Sequence, residues 1–132
     1  MKLQDPTLLT GQNLCDGEWI ASDSGETLAV TNPASGDILA EVARCTGVET
    51  TRMIIAAEAA QRSWATSTGK ERSALLRRWY ELILANADDL AALLTAEQGK
   101  PLAEARGEII YGANYIEWFA EEAKRRYGDV IP

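Results

Sequence analysis

The sequence predicts a mostly α-helical chain that begins with a small antiparallel β meander. Turn-forming residues recur up to Thr46, and apolar residues at helical spacing follow from Gly47 onward. We therefore divide the chain into a β meander over residues 1–46 and a four-helix segment over residues 47–132. Because 46% of the 132 residues are hydrophobic and 25% are charged, neither a disordered tail nor a membrane span is expected.

Composition excludes several classes of function. The net charge of -7 disfavours nucleic acid and anionic membranes as partners. The chain has no histidine, so it contains no Ser-His-Asp or Cys-His centre and no histidine-ligated metal. Two cysteines, Cys15 and Cys45, are too few for a disulfide framework, and no apolar leader follows Met1. We expect reduced thiols and a cytoplasmic protein.

Three short runs are typical of strands in the meander. They are residues 18–20, 27–31 and 38–42, and apolar side chains alternate in the second and third. The Asp16-Gly17 pair indicates a turn, and so does the stretch around Pro33, because proline cannot lie in a central strand.

Four helices are predicted from apolar residues at three- and four-residue spacing. Asn86 is placed to cap the third helix, Gly99 to end it, and Pro101 to begin the fourth. The expected ranges are residues 48–64, 70–85, 88–98 and 101–127.

The fourth helix carries two apolar stripes. The second stripe contains Tyr111, Tyr115 and Trp118. A helix that is apolar on two sides requires neighbours on both, and the first three helices are not expected to supply both. We therefore expect a segment of a larger protein, or a domain that docks on a partner. The first stripe contains Leu102, Ala105, Ile109, Gly112, Ile116, Ala120, Ala123 and Tyr127.

No polar cluster is typical of a catalytic site. Ser67 and Lys70 fit an S-x-x-K pattern without its companion motifs, and a helix-entry loop is favoured. Glu104 and Glu108 are a possible acid/base pair with Arg106 nearby, but a solvated helix face is favoured. Neither of the two glycine-rich phosphate-binding motifs occurs.

The remaining candidates are arginines and tryptophans. The arginines of the second helix are a possible anion site, but a charged outer face is favoured. The tryptophans fall in helical apolar stripes, which favours packing in a core or against a subunit over an aromatic binding groove. The residues concerned are Arg72, Arg77 and Arg78, and Trp64, Trp79 and Trp118.

Five motifs in a fixed order resemble the N-terminal quarter of an aldehyde dehydrogenase, and the similarity covers essentially the whole chain. Residues 97–105, with 115–123 and 127–132, resemble the succinate-semialdehyde dehydrogenase branch. The five motifs are Asp16-Gly17-Glu18-Trp19, Val30-Thr31-Asn32-Pro33-Ala34-Ser35-Gly36, Gln61-Arg62-Ser63-Trp64, Arg72-Ser73-Ala74-Leu75-Leu76-Arg77-Arg78 and Glu97-Gln98-Gly99-Lys100-Pro101-Leu102-Ala103-Glu104-Ala105.

The resemblance implies an incomplete piece of a much longer α/β enzyme with a Rossmann-type cofactor domain, of which residues 47–132 form part. Such enzymes oxidise an aldehyde through a cysteine thiolate and pass hydride to NAD or NADP. The catalytic and cofactor-binding residues are expected beyond Pro132, so Cys15 and Cys45 are not the nucleophile. The segment alone is expected to bind no cofactor and to need the remainder of the chain, in a homo-oligomer that is a dimer or a tetramer.

The last long helix of these enzymes borders the substrate tunnel. By the same resemblance we expect Glu108 and Gly112 to form part of the tunnel wall, although close helix packing also explains a glycine at this position. The expected function is an inactive scaffold segment of an enzyme that converts succinate semialdehyde, NAD(P) and water to succinate and NAD(P)H. The alternative is a stand-alone helical interaction module.

Overall fold

The computed structural model describes all residues from Met1 to Pro132. A short 3₁₀ turn at Pro6–Leu8 and four strands precede four helices, which confirms a mostly helical fold with N-terminal antiparallel strands. The strands are β1 (Asn13–Cys15), β2 (Glu18–Ile20), β3 (Thr27–Thr31) and β4 (Ile38–Ala43). The helices are α1 (Gly47–Trp64), α2 (Gly69–Ala85), α3 (Ala87–Gln98) and α4 (Leu102–Glu122).

The strands form two separate antiparallel pairs, where the sequence predicted one continuous meander. β1 pairs with β2, and β3 pairs with β4. The strand β1 was not predicted, although Asp16 and Gly17, with φ of 51° and 82°, form the tight turn that joins it to β2. The chain between β2 and β3 does not continue the sheet, because the Asp23 backbone N–H donates to the Glu49 carboxylate at the start of α1.

Local signals set most of the helix boundaries. Capping boxes begin α1 at Thr46 and α2 at Thr68. The left-handed Gly99, with φ of 77°, ends α3, and Pro101 directly precedes α4. These boundaries lie within a residue or so of those predicted. The predicted capping role of Asn86 is wrong, however, because its side chain donates to a carbonyl oxygen of α2 and makes no capping hydrogen bond to α3.

The predicted C-terminal end of α4 is wrong. The helix ends at Glu122, whereas the apolar stripe predicted continuation to Tyr127. Every residue from 124 to 132 is exposed, and Tyr127 is 91% exposed. A further turn of helix would therefore bury nothing to offset its loss of conformational entropy.

The packed centre of the molecule lies where α2 and α3 cross α4. Only 10 of the 132 residues are buried, and every buried apolar residue is an alanine, so helix backbones approach closely while larger side chains stay partly exposed. The helix α1 instead faces β1 and the turn after it across a cleft of about 210 Å³, which Met53 helps to line. The buried alanines are Ala87, Ala91 and Ala96 of α3 and Ala105, Ala113 and Ala120 of α4.

Candidate functional site

An apolar groove with a volume of about 610 Å³ lies between α4 and the facing sides of α2 and α3. Both residues that the sequence predicted for a tunnel wall, Glu108 and Gly112, line this groove. The structure therefore brings them together on one surface, which we call the Gly112 groove. Its other lining residues are Ile83, Leu90, Leu94, Ile109, Tyr111, Ala113 and Ile116.

Gly112 leaves open space in the groove. A Cβ atom built on Gly112 would meet no heavy atom within 4 Å. Close packing against another helix of this chain therefore does not account for this glycine. A larger residue at this position would project into the groove and narrow it.

Glu108 is the only charged residue that lines the Gly112 groove. The Lys100 ammonium forms an ion pair with its Oε2 atom. The Lys100 side chain is 25% exposed and belongs to the turn between α3 and α4, where the left-handed Gly99 and the fixed φ of Pro101 hold the backbone. The charge of Glu108 is thus balanced by a cation from a turn of restricted conformation.

A second feature of α4 is a row of exposed aromatic side chains, Tyr111, Tyr115, Trp118 and Phe119, which we call the aromatic face. Their exposed fractions range from 53% to 62%. The two tyrosine rings meet edge to face at 5.1 Å, and their hydroxyls are 2.7 Å apart. This hydrogen bond to Tyr115 raises the pKa of Tyr111 above its ordinary value. With Asn114 these residues outline a shallow groove of about 360 Å³.

The aromatic face confirms that α4 lacks partners on one side within this chain. Burial in a core of this chain, one of the two packings considered for the tryptophans, is wrong: Trp64, Trp79 and Trp118 are 40%, 56% and 62% exposed. Packing of the tryptophans against another subunit stays a prediction.

The three arginines of α2 do not converge on one anion site. Arg72 donates to the carbonyl oxygens of Trp64 and Ala65 at the end of α1, and Arg78 pairs with Glu81. These contacts join α2 to α1 or to itself. The charged outer face that the sequence favoured fits this arrangement better than an anion site.

Arg77 joins α2 to α4. Its Nη1 atom lies 2.6 Å from Glu117 and its Nη2 atom 3.0 Å from Glu121. Both hydrogen bonds raise the pKa of Arg77, and the bond to Glu117 contributes more than the bond to Glu121. Glu121 accepts hydrogen bonds from Lys124 and Arg77. Both lower its pKa, and the bond from Lys124 contributes more. This cluster ties the two helices together.

The other polar candidates are also separated. Ser67 lies in the loop that enters α2, directly before the Thr68 cap. Glu104 is exposed, and Arg106 pairs with Asp88, 2.8 Å away, and not with either glutamate. The structure thus gives Glu104 and Glu108 no shared environment of the kind that a paired acid and base require.

The sequence analysis missed two buried carboxylates that hold the N-terminal part of the chain. Glu49 is 1% exposed and accepts hydrogen bonds from Thr46 and from the Asp23 backbone. These bonds lower the pKa of Glu49 to about 2, and the bond from the Thr46 side chain contributes most. Asp89 accepts from the backbone N–H groups of Gln4 and Asp5. The only sequence signal for Glu49 is the T-x-x-E capping pattern, which does not indicate its contact with the Asp23 backbone.

No group of three or more histidine, cysteine, aspartate and glutamate side chains is arranged to hold a metal ion. None of the helices has the length and apolar character needed to cross a bilayer.

Residues 19–132 match the sequence profile of the aldehyde dehydrogenase family. The chain belongs to that family. This aldehyde dehydrogenase chain is 56% identical over 132 residues to the 3-sulfolactaldehyde dehydrogenase of Pseudomonas putida, covering 100% of the chain and 27% of that protein. It is 53% identical to the NADP(+) succinate-semialdehyde dehydrogenase of Escherichia coli, again covering all of the chain and 27% of the relative.

Solved structures of aldehyde dehydrogenases also superpose closely on this chain. The aldehyde dehydrogenase of Brucella melitensis biovar abortus superposes with a TM-score of 0.97 at 52% identity, covering 100% of this chain and 27% of that one. The succinate-semialdehyde dehydrogenase of Burkholderia pseudomallei superposes with a TM-score of 0.96 at 54% identity, with the same coverage.

This aldehyde dehydrogenase chain thus corresponds to the N-terminal part of the family's fold and spans about a quarter of the length of these relatives. The resemblance to the family and to its succinate-semialdehyde branch is confirmed. The comparisons lend no support to a stand-alone interaction module.

Proposed function

We propose that this chain is the N-terminal scaffold of an NAD(P)-dependent semialdehyde dehydrogenase and is inactive by itself. The observation that carries the proposal is its match, over its whole length, to about a quarter of such enzymes. The complete protein would convert an aldehyde, NAD(P) and water to a carboxylic acid and NAD(P)H. The nucleophile and the cofactor site would lie in the remaining three quarters.

The substrate we propose is an aldehyde with an anionic group at its other end, and succinate semialdehyde in particular. Relatives at 52% to 56% identity are named for glutarate semialdehyde, succinate semialdehyde and 3-sulfolactaldehyde. Each of these aldehydes carries a carboxylate or a sulfonate. Recognition of a distal anion is therefore the chemistry that these substrates share.

Within that enzyme the Gly112 groove would form part of the substrate tunnel wall. Gly112 supports this role because its missing side chain leaves open space. Glu108 supports it by lying on the same groove. The apolar lining would exclude water from a passing aldehyde.

The chain's own residues do not fit the pyrophosphate of NAD or NADP. One first-turn N–H group of α1 and one of α2 already donate to the capping threonines Thr46 and Thr68, and each of the four helices carries at least one carboxylate in its first turn. Helix N-termini bind phosphate only where such groups are free and the local charge is not negative. We therefore assign no cofactor contact to residues 1–132 and derive no step through the cofactor here.

The scaffold role includes a surface for the rest of the enzyme. We propose that the remainder of the polypeptide covers the aromatic face, with residues 47–132 forming part of the cofactor-binding domain and residues 1–46 lying against it. Exposed aromatic rows of this kind mark interfaces. The complete enzyme would be a cytoplasmic homo-oligomer, a dimer or a tetramer, as the family resemblance implies.

The test compares two proteins. The first is the 132-residue chain, and the second is a chimera in which it replaces the corresponding segment of the Escherichia coli NADP(+) enzyme. With succinate semialdehyde and either NAD or NADP, we expect no NAD(P)H absorbance from the chain and steady turnover from the chimera. Turnover by the chain alone, or a folded chimera without activity, contradicts the proposal.

A further inference from the structure

One ion pair determines the charge of the Gly112 groove. Glu108 is the only charged residue on the lining, and the other lining residues are apolar apart from Tyr111. Lys100 supplies the matching cation from the turn between α3 and α4. The side chain of Lys100 is less exposed than that of Glu108, 25% against 50%. Within the ion pair, Lys100 is therefore the more buried partner and Glu108 the more exposed one.

We propose that Lys100 is a specificity-determining residue which neutralises Glu108 so that an anionic aldehyde can pass along the Gly112 groove. This inference rests on the proposed function, since it takes the groove as tunnel wall and the substrate as an anion. A bare glutamate on an apolar wall would repel the distal carboxylate of a semialdehyde, because charges interact strongly where water is displaced. Lys100 acts through Glu108 and is a positioning residue.

The backbone around Lys100 is conformationally restricted, which favours its pairing with Glu108. Gly99 adopts a left-handed conformation, which favours glycine, and Pro101 restricts the backbone on the other side of Lys100. Lys100 and Glu108 are eight positions apart in the sequence, which is too far for partners on neighbouring turns of a single helix. The turn between α3 and α4, not α4 itself, therefore brings the cation to Glu108.

A purely structural role makes a different prediction. Ion pairs as exposed as this one contribute little to stability. If the pair only supported the fold, its loss would affect all substrates alike. If it neutralises the wall, its loss affects anionic substrates alone.

The test uses the chimera with two four-carbon substrates, succinate semialdehyde, which is anionic, and butanal, which is neutral. For Lys100→Met we expect KM for succinate semialdehyde to rise about tenfold or more, with kcat little changed and with KM for butanal within about twofold of the parent. Adding Glu108→Gln to Lys100→Met should restore the KM for succinate semialdehyde. The single variant Glu108→Gln should lower that KM, because it leaves Lys100 unpaired.

Arg106→Met is the matched control, because it breaks the exposed pair with Asp88 away from the groove. It should change neither KM. Equal effects of Lys100→Met on both substrates, or no effect on either, overturn the inference while the activity of the parent chimera upholds the proposed function. Should Lys100→Met fail to fold, an unchanged KM in Glu108→Gln overturns the inference. An inactive, folded parent chimera overturns the proposed function itself.

Discussion

Gly69 lies against the backbone of Ala123, where a Cβ atom on Gly69 would stand 2.5 Å from the Ala123 carbonyl oxygen. The first residue of α2 therefore reaches the end of α4 at a distance that only glycine permits. Together with the ion pairs of Arg77, this contact determines how α2 lies across α4. It also lies at the point where α4 ends.

Gly69→Ala should destabilise the chain by about 1–3 kcal/mol, because the added methyl group forces two backbones apart. Urea unfolding followed by circular dichroism measures the change. Gly107→Ala is the control, since a Cβ at Gly107 meets nothing within 4 Å and alanine favours a helix by about 0.5–1 kcal/mol. Equal destabilisation by both substitutions would contradict the close approach.

Glu49 should make stability depend on pH. Its native pKa of about 2 lies below the ordinary 4.5, so its contribution is complete above pH 4.5 and is lost as the pH falls towards 2. Glu49→Gln should lower the melting temperature at pH 7 and flatten the decline in stability between those two values. Melting curves from pH 7 to 2 measure both effects.

Glu58→Gln on α1 is the control for Glu49→Gln, because the exposed Glu58 side chain forms no hydrogen bond or ion pair. Its melting curves should follow those of the parent chain. If Glu49→Gln also follows the parent at every pH, the carboxylate does not hold the loop before β3.

Asp89→Ala should release the N-terminal arm. Asp89 accepts hydrogen bonds from Gln4 at 3.0 Å and Asp5 at 2.8 Å, and losing such bonds to a charged group costs about 1.5–3 kcal/mol. Hydrogen exchange at the two amides should accelerate. Asp88→Ala, which removes an exposed neighbouring carboxylate, should leave both amides protected. Unchanged exchange in Asp89→Ala would show that another contact holds the arm.

The aromatic face should make the isolated chain bind an apolar fluorescent dye. The double substitution Trp118→Lys and Phe119→Lys should reduce dye fluorescence several-fold, because it removes the centre of the exposed patch. Val48→Lys, on the exposed side of α1, should have a small effect. Dye binding that is equal in all three proteins would place the apolar surface elsewhere. The chimera that carries the unsubstituted segment should bind little dye, because the rest of the enzyme would cover the aromatic face.

Most of the secondary structure could be predicted because its signals are local. The capping residues Thr46 and Thr68, the left-handed Gly99 and the periodic apolar residues all act within a few positions of the boundary that they set. The predicted ranges of α1, α2 and α3 consequently agree with the structure. The pairing of β1 was missed, since its only sequence signal was the Asp16-Gly17 turn.

The candidate site was predictable only in part. Glu108 and Gly112 came from the family resemblance, and the structure places both on one groove. The role of that groove as a tunnel wall stays a prediction. Lys100 could not be found from its spacing, because an ion pair across a turn has no helical period. The end of α4 was mispredicted because apolar residues continue at helical spacing in the sequence beyond Glu122, although the helix itself ends there.

By itself the sequence determined the ranges of α1, α2 and α3, the turns at Asp16-Gly17 and around Pro33, and the family to which the chain belongs, since these depend on neighbouring residues and on the order of motifs. Tertiary structure alone decided which side of α4 is covered, that Gly112 faces open space and that Lys100 forms an ion pair with Glu108. The physical reason is that burial and charge pairing depend on residues distant along the chain, whose positions no local propensity encodes.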